Sequence, residues 1–175
     1  MTQTTTMLDL EAINRLDRVA FVDALGSTFE HSPWVADEAW LARPFASEEA
    51  LHAAMMGVVQ RASRESQIAF LCAHPELAGK EAQSGRMTSD SVTEQTSAGL
   101  DALGRDEMAE LQALNRRYRE RHGFPFIVAV RRYGKVEIFE QLRRRVDVDS
   151  ESELQEALRQ IGWITRLRVQ SKLAS

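Results

Sequence analysis

The chain has 175 residues, 43% of them apolar, and a formal net charge of −4; that size fits one domain on one core, and the acidic balance excludes a general affinity for nucleic acid. A single cysteine, Cys72, excludes an intramolecular disulfide and fits a reducing compartment. No apolar run reaches the length of a membrane span, and Met1–Thr6 carries no basic-plus-apolar signal pattern, so a cytoplasmic protein without membrane partners is expected.

Only four prolines and nine glycines interrupt the sequence, which favours helices. Residues 1–7 read as a flexible tail. From Leu8, the apolar positions Leu10, Ile13, Leu16, Ala20 and Val22 fit short helical pieces, and Phe21, Leu25 and Phe29 continue at helical spacing on one face. Ser32-Pro33-Trp34 opens the next segment with proline at the first helical position. Trp34 and Trp40 are expected to supply large core surfaces, before Arg43-Pro44-Phe45 breaks the segment. Ser47 ahead of Glu48 and Glu49 is an N-cap followed by acids in the first turn, predicting a helix to about Ala62. Ser63 or Ser66 caps a further helix that stops near Ala73, because the residue before Pro75 avoids helical geometry. Residues 76–88, with Gly79 and Gly85, read as a mostly irregular loop.

A helix is predicted over about 90–103, closed by Gly104, and another over about 105–121, stopped by Gly123, with Met108, Leu111, Leu114 and Tyr118 inward. Phe124–Val130 is continuous apolar sequence with no evident partner strand, and an extended segment buried among helices is expected. Val136, Phe139 and Leu142 mark another helix, on which Arg143-Arg144-Arg145 reads as a solvated face. The last helix runs from about Ser152 to Lys172, with Leu154, Leu158, Ile161, Ile164 and Leu167 inward. The expected architecture is all-α: a bundle-like single domain over 8–172, of about eight helices with one buried extended segment.

The residues that can carry chemistry cluster in three places. His74-Pro75-Glu76-Leu77-Ala78-Gly79 puts an imidazole ahead of a proline at the end of a helix. A histidine there is often only a cap on the last carbonyls, but it also titrates near neutral pH and can move a proton. Ser91-Val92-Thr93-Glu94-Gln95 supplies a hydroxyl, a carboxylate and an amide. Its Ser-x-x-Glu spacing is a capping box, which ties Glu94 to a backbone amide and leaves it as an orienting rather than acidic group. The third is His122-Gly123-Phe124-Pro125-Phe126-Ile127, an apolar breaker segment. Metal-ligand spacing is absent among His31, His52, His74 and His122, so no metal site is expected. Cys72 reads as an inert buried thiol rather than a nucleophile for His74.

Taken in order, Ser32-Pro33-Trp34-Val35-Ala36, Arg43-Pro44-Phe45, His74-Pro75-Glu76-Leu77-Ala78-Gly79, Ser91-x-x-Glu94-Gln95 with Ala98-Gly99-Leu100, Asn115-x-x-Tyr118, Gly123-Phe124-Pro125-Phe126 and Leu167-Arg168 resemble the 2-oxo-4-hydroxy-4-carboxy-5-ureidoimidazoline (OHCU) decarboxylase family of urate degradation. His122 departs from the family's usual phenylalanine. The resemblance implies an all-α fold, a homodimer, and a cofactor-free decarboxylation of OHCU to (S)-allantoin and carbon dioxide. It implies His74 as proton donor, with Glu94 favouring the protonated imidazole. Pro75, Ser91, Val92, Thr93, Glu94, Gln95, Phe126, Ile127, Val128, Ala129 and Val130 would contact substrate, and Arg168 would hold an anionic group. Two other readings remain open on the residues alone: a lyase or hydrolase acting on another small ureido or heterocyclic acid, and a non-catalytic all-α interaction module.

Overall fold

Several helix starts in this chain are set by short polar side chains that satisfy the first free backbone N–H groups. The computed structural model, which describes residues 7–79, 82 and 84–174, is all-α. Its helices are α1 (Leu10–Arg15), α2 (Arg18–Leu25), α3 (Trp34–Ala39), α4 (Glu48–Arg61), α5 (Arg64–Cys72), α6 (Ser89–Ser97), α7 (Arg105–His122), α8 (Lys135–Arg145) and α9 (Ser150–Lys172). Residues 1–6 of the tail expected over 1–7, and Lys80, Glu81 and Gln83 of the expected loop, lie outside the described residues. The described residues fall into two compact units, one of those within 1–63 and 165–175, the other of those within 64–164.

In the first unit, Asp9 and Asp17 cap α1 and α2 by accepting the N–H groups of Ala12 and Ala20 at 2.7 and 2.8 Å. Ser47 caps α4 as predicted, accepting from Ala50. Phe21, Leu25, Phe29, Val35, Leu51, Met55 and Val59 form the core, each no more than 1% exposed. Pro33 occupies the N-cap of α3, one position earlier than expected. Trp34 and Trp40 are only half-buried. Trp40 instead donates its Nε1–H to the Leu16 carbonyl, and Arg43 stacks on its ring at 3.8 Å. An indole with a polar edge settles where that edge finds an acceptor.

In the last turns of α9, Thr165, Arg168 and Val169 are buried, whereas Leu167, expected inward, is 38% exposed. The reason is an internal ion pair. Arg168 Nη1 donates to Glu30 Oε2 at 3.1 Å and to the Thr28 carbonyl at 3.2 Å, turning that face inward and Leu167 out.

In the second unit, α6 is shorter than predicted. Gly99 takes a left-handed conformation (φ 73°). The Leu100 N–H closes on the Gln95 carbonyl and the Gly99 N–H on that of Thr96, a Schellman stop that ends the helix at Ser97. Gly104 is then the N-cap of α7 rather than the end of α6. Gly123, at φ 81°, ends α7 as expected. Residues 124–130 are all buried; 124–129 form neither helix nor strand, and Ala129, at φ −75° and ψ 83°, leads into a 3₁₀ turn at Val130–Arg132. On α8 the inward residues are Ile138, Phe139 and Leu142, and Val136 is 66% exposed. Arg143 and Arg144 face solvent as predicted, but Arg145 does not. It is 2% exposed and paired with Glu153, because it falls on the same helical face as Ile138 and Leu142.

Candidate active site

The second unit brings together all three chemistry-bearing segments. The first begins where α5 ends. Ala73 and His74 turn back on the helix, their N–H groups donating to the carbonyls of Phe70 and Leu71. The His74 ring is 5% exposed, sits edge-on to Phe70, and has Nδ1 3.2 Å from the Phe70 carbonyl. The cap role foreseen for this histidine is therefore real. It also fixes the ring's chemistry: a carbonyl only accepts, so Nδ1 carries the hydrogen and Nε2 is the atom that gains or loses a proton.

Pro75 leads into a tight turn. Ala78 has a positive φ of 46°, and a Cβ added at Gly79 would come within 2.8 Å of Glu76 Cβ. An alanine held in the left-handed region costs free energy that its surroundings must offset. Several side chains do so. Gln95 Oε1 accepts the Ala78 N–H at 2.9 Å, and Asn115 Nδ2 donates to the Leu77 carbonyl at 3.2 Å. Arg119 pairs with Glu76 at 2.8 Å.

Helix α6 supplies the second segment. Thr88, not Ser91, is its N-cap, accepting the Ser91 N–H at 3.3 Å. Ser91 thus stands in the first turn, and Glu94 is half-buried in the body of the helix instead of closing a capping box. Helical spacing then sorts the five predicted residues. Ser91 and Gln95, four apart, are buried on one face beside half-buried Glu94; Val92 and Thr93 are exposed. The Thr93 hydroxyl turns back to the Ser89 carbonyl. Helix α6 also packs against the Val130–Arg132 turn, which places it beside the end of the third segment.

The run that continues the third segment, Phe126–Val130, makes no strand ladder and is held by side chains. Arg145 Nη1 donates to the Ile127 carbonyl and Gln160 Oε1 accepts the Ala129 N–H, both at 2.9 Å. Arg145 Nε and the Tyr118 hydroxyl each donate to Glu153 Oε1 at 2.6 Å. Burial and then Glu153 push the Tyr118 hydroxyl well above the usual range, keeping it protonated as a donor. Sequence reasoning assigned no role to Glu153 or Gln160, placed Asn115 only in the family resemblance and read Arg145 as solvent-facing. The available signal was a polar residue at an inward helical position, which needs a buried partner.

Arg168 lies in the first unit, bound to Glu30. His122 is 6% exposed, with Nδ1 2.8 Å from Ser150 Oγ and Nε2 3.2 Å from the Arg145 carbonyl. Cys72 is exposed, not buried, with Sγ 3.4 Å from the Gly123 carbonyl, because the end of α5 lies at the surface there. Among the described residues, no group of three or more His, Cys, Asp or Glu side chains is placed to hold a metal ion.

Comparison with known proteins gives this constellation a context. The chain is 44% identical to the 2-oxo-4-hydroxy-4-carboxy-5-ureidoimidazoline decarboxylase of Haloferax volcanii, over 96% of this chain and 98% of that one. It is 40% identical to the uric acid degradation bifunctional protein PucL of Bacillus subtilis, covering 93% of this chain and 32% of the larger protein. A crystal structure of (S)-allantoin synthase superposes with a TM-score of 0.76 at 28% identity, over 96% of this chain and 54% of that one. The family model for OHCU decarboxylase matches residues 14–170, and the chain belongs to that family.

Proposed function

We propose that this protein decarboxylates OHCU to (S)-allantoin and carbon dioxide, a late step of urate breakdown, with His74 as the proton donor. The observation that carries the assignment of roles is the setting of His74. It is a nearly buried imidazole whose Nδ1 is committed to the Phe70 carbonyl, at the mouth of a turn that Gln95 of α6 holds through Ala78.

The chemistry asks little of a cofactor. The bond between the carboxylate and the hydroxyl-bearing ring carbon breaks, and its electron pair moves onto the adjacent imidazoline C=N as carbon dioxide leaves. One proton is delivered to the ring carbon that carries the ureido group, and the hydroxyl becomes the ring carbonyl as its proton passes to the ring nitrogen that took the electron pair. The protein's contribution is to hold the carboxylate where its dispersing charge is favoured and to deliver the proton to one face. His74 Nε2 is the donor. Glu94, on the helix that grips the same turn, favours the imidazolium. Pro75, Ser91 and Gln95 shape the pocket beside it, with Val92 and Thr93 at its outer edge. The backbone of Phe126–Val130 pairs with polar atoms of the ring and ureido group, a use that fits an extended segment free of helical bonding. Arg168 is the weaker member of the set, a cation for an anionic group whose charge in this structure already faces Glu30.

A functional domain over 8–172, acting as a cytoplasmic homodimer, completes the reading. The family match over 14–170 supports the extent, and no helix among the described residues is long and apolar enough to cross a membrane. Membership of a decarboxylase family places this reading above another ureido acid as substrate and above a non-catalytic interaction module.

The test is circular dichroism of freshly generated OHCU with and without protein. Uncatalysed decay gives racemic allantoin, so a growing signal of the (S)-enantiomer measures catalysis alone. Folded His74→Ala should lose roughly 10²–10⁴ in rate. Turnover by that variant at the wild-type rate would remove His74 from the mechanism, and a wild-type trace identical to the protein-free control would remove the reaction.

A further inference from the structure

We propose that Arg145 and Gln160 are positioning residues for this reaction, clamping the extended segment at Ile127 and Ala129 so that the Val128 peptide is presented on the opposite edge. The inference rests on the decarboxylase reading given above.

It follows from where the backbone hydrogen bonds of the segment go. The Ile127 carbonyl is taken by Arg145 and the Ala129 N–H by Gln160, both at 2.9 Å. The Ala129 carbonyl accepts from Arg132 N at 2.9 Å, which starts the 3₁₀ turn. In an extended chain the backbone groups of successive residues point to opposite edges and those of alternate residues to the same edge. The two side-chain anchors therefore lie on one edge, and the N–H and carbonyl of Val128 face the other. Val128 is 4% exposed, and among the described residues neither of its backbone groups takes part in a hydrogen bond. Buried peptide groups are rarely left so unless something else binds them.

Each anchor is itself anchored. Arg145, 2% exposed, gives its Nε to Glu153, and its guanidinium lies 4.6 Å above the Phe126 ring. The same Glu153 oxygen accepts from Tyr118. Gln160, 3% exposed, gives its Nε2 to Glu156 Oε1 at 2.7 Å. A buried ion pair is a poor way to gain stability, since apolar residues of the same volume serve as well; its best-attested use is to fix geometry. Here the geometry fixed is the register of a segment that has no sheet to define it.

Gln160→Leu and Arg145→Lys test this. Gln160→Leu keeps the volume and removes the Ala129 anchor; Arg145→Lys keeps the charge beside Glu153 and removes the fork that reaches Ile127. Both are to be checked for folding by thermal melting, then measured for kcat and KM on OHCU and for amide exchange over residues 124–130. The expected result is faster exchange across the segment and a fall of about 10- to 100-fold in kcat/KM, with the pH profile of kcat unchanged because His74 is untouched. If Arg145→Lys fails to fold, Gln160→Leu decides. A folded variant with faster exchange but wild-type kcat/KM would overturn the positioning role, as would unchanged exchange. Wild-type protein inert toward OHCU would sink the decarboxylase reading and this inference with it, a result separate from any behaviour of the variants.

Discussion

Gln95 and Ala78, far apart in the chain, meet through a hydrogen bond of 2.9 Å from the Ala78 N–H to the Gln95 side-chain oxygen. Ala78 sits at a φ that alanine rarely adopts, and Gln95 is 7% exposed on the buried face of α6. The bond joins the turn after His74 to the helix that carries Ser91 and Glu94, so the two halves of the proposed site are set by one amide.

Replacing Gln95 with Leu should therefore loosen the turn as well as alter the pocket. Loss of the acceptor is expected to cost about 1–3 kcal/mol, measurable as a lower urea midpoint with an unchanged slope. Amide exchange at Ala78 should quicken. A midpoint equal to wild type would mean that the turn holds itself.

The Arg168–Glu30 pair permits a separation of roles. Both residues are at most 4% exposed. Arg168→Met leaves a buried carboxylate without its guanidinium, and a loss of about 3–5 kcal/mol is expected. Adding Glu30→Gln should restore most of that stability. If the double variant is as stable as wild type yet defective in turnover, Arg168 also serves the substrate; if turnover returns with stability, its place is structural.

His122 is held by Ser150 and the Arg145 carbonyl and lies near-parallel to Phe124, with ring centroids 6.0 Å apart. His122→Phe retains the ring contact and gives up both polar ones. The expected outcome in chemical denaturation is a loss of about 1–3 kcal/mol.

His52 gives the first unit a pH dependence. It lines a cleft of about 190 Å³ with Glu48, Glu49, Arg166, Val169 and Gln170, and its Nε2 lies 2.8 Å from Thr165 Oγ1. Burial, and then the charge of Arg166, hold its pKa below the ordinary value of 6.5. A lowered folded-state pKa means that the unfolded chain binds the proton more readily. The contribution is thus fully present above pH 6.5 and is lost as pH falls from there through the folded-state value. The wild-type melting temperature should drop between pH 7.5 and pH 5.5 by more than that of His52→Gln. Equal drops would show that His52 does not set this limb.

Much of this was legible in the sequence. Ser47 before two glutamates, Pro75 after His74 and Gly123 after a periodic run each have a local physical meaning, and the helices they bound formed as expected. The unbroken apolar run of Phe124–Val130, with no second strand to pair with, was readable as a buried segment outside the α-helices. The helical register of Ser91 and Gln95 was readable too. What misled were local signals with equally good competitors. Thr88 outdid Ser91 as a cap, and Gly99 stopped α6 before Gly104 did.

The sequence by itself determined the all-α class, the order of the helices and the residue types able to move a proton or bind an anion, because capping, periodicity and ionisation belong to neighbouring residues. Only the tertiary structure decided which polar residues turn inward. Arg145 left its arginine run for Glu153, Arg168 turned to Glu30, and Gln160 and Gln95 took up backbone groups of distant segments. Those choices depend on which buried donor lies within about 3 Å of which acceptor, a distance set by packing between elements far apart in the chain.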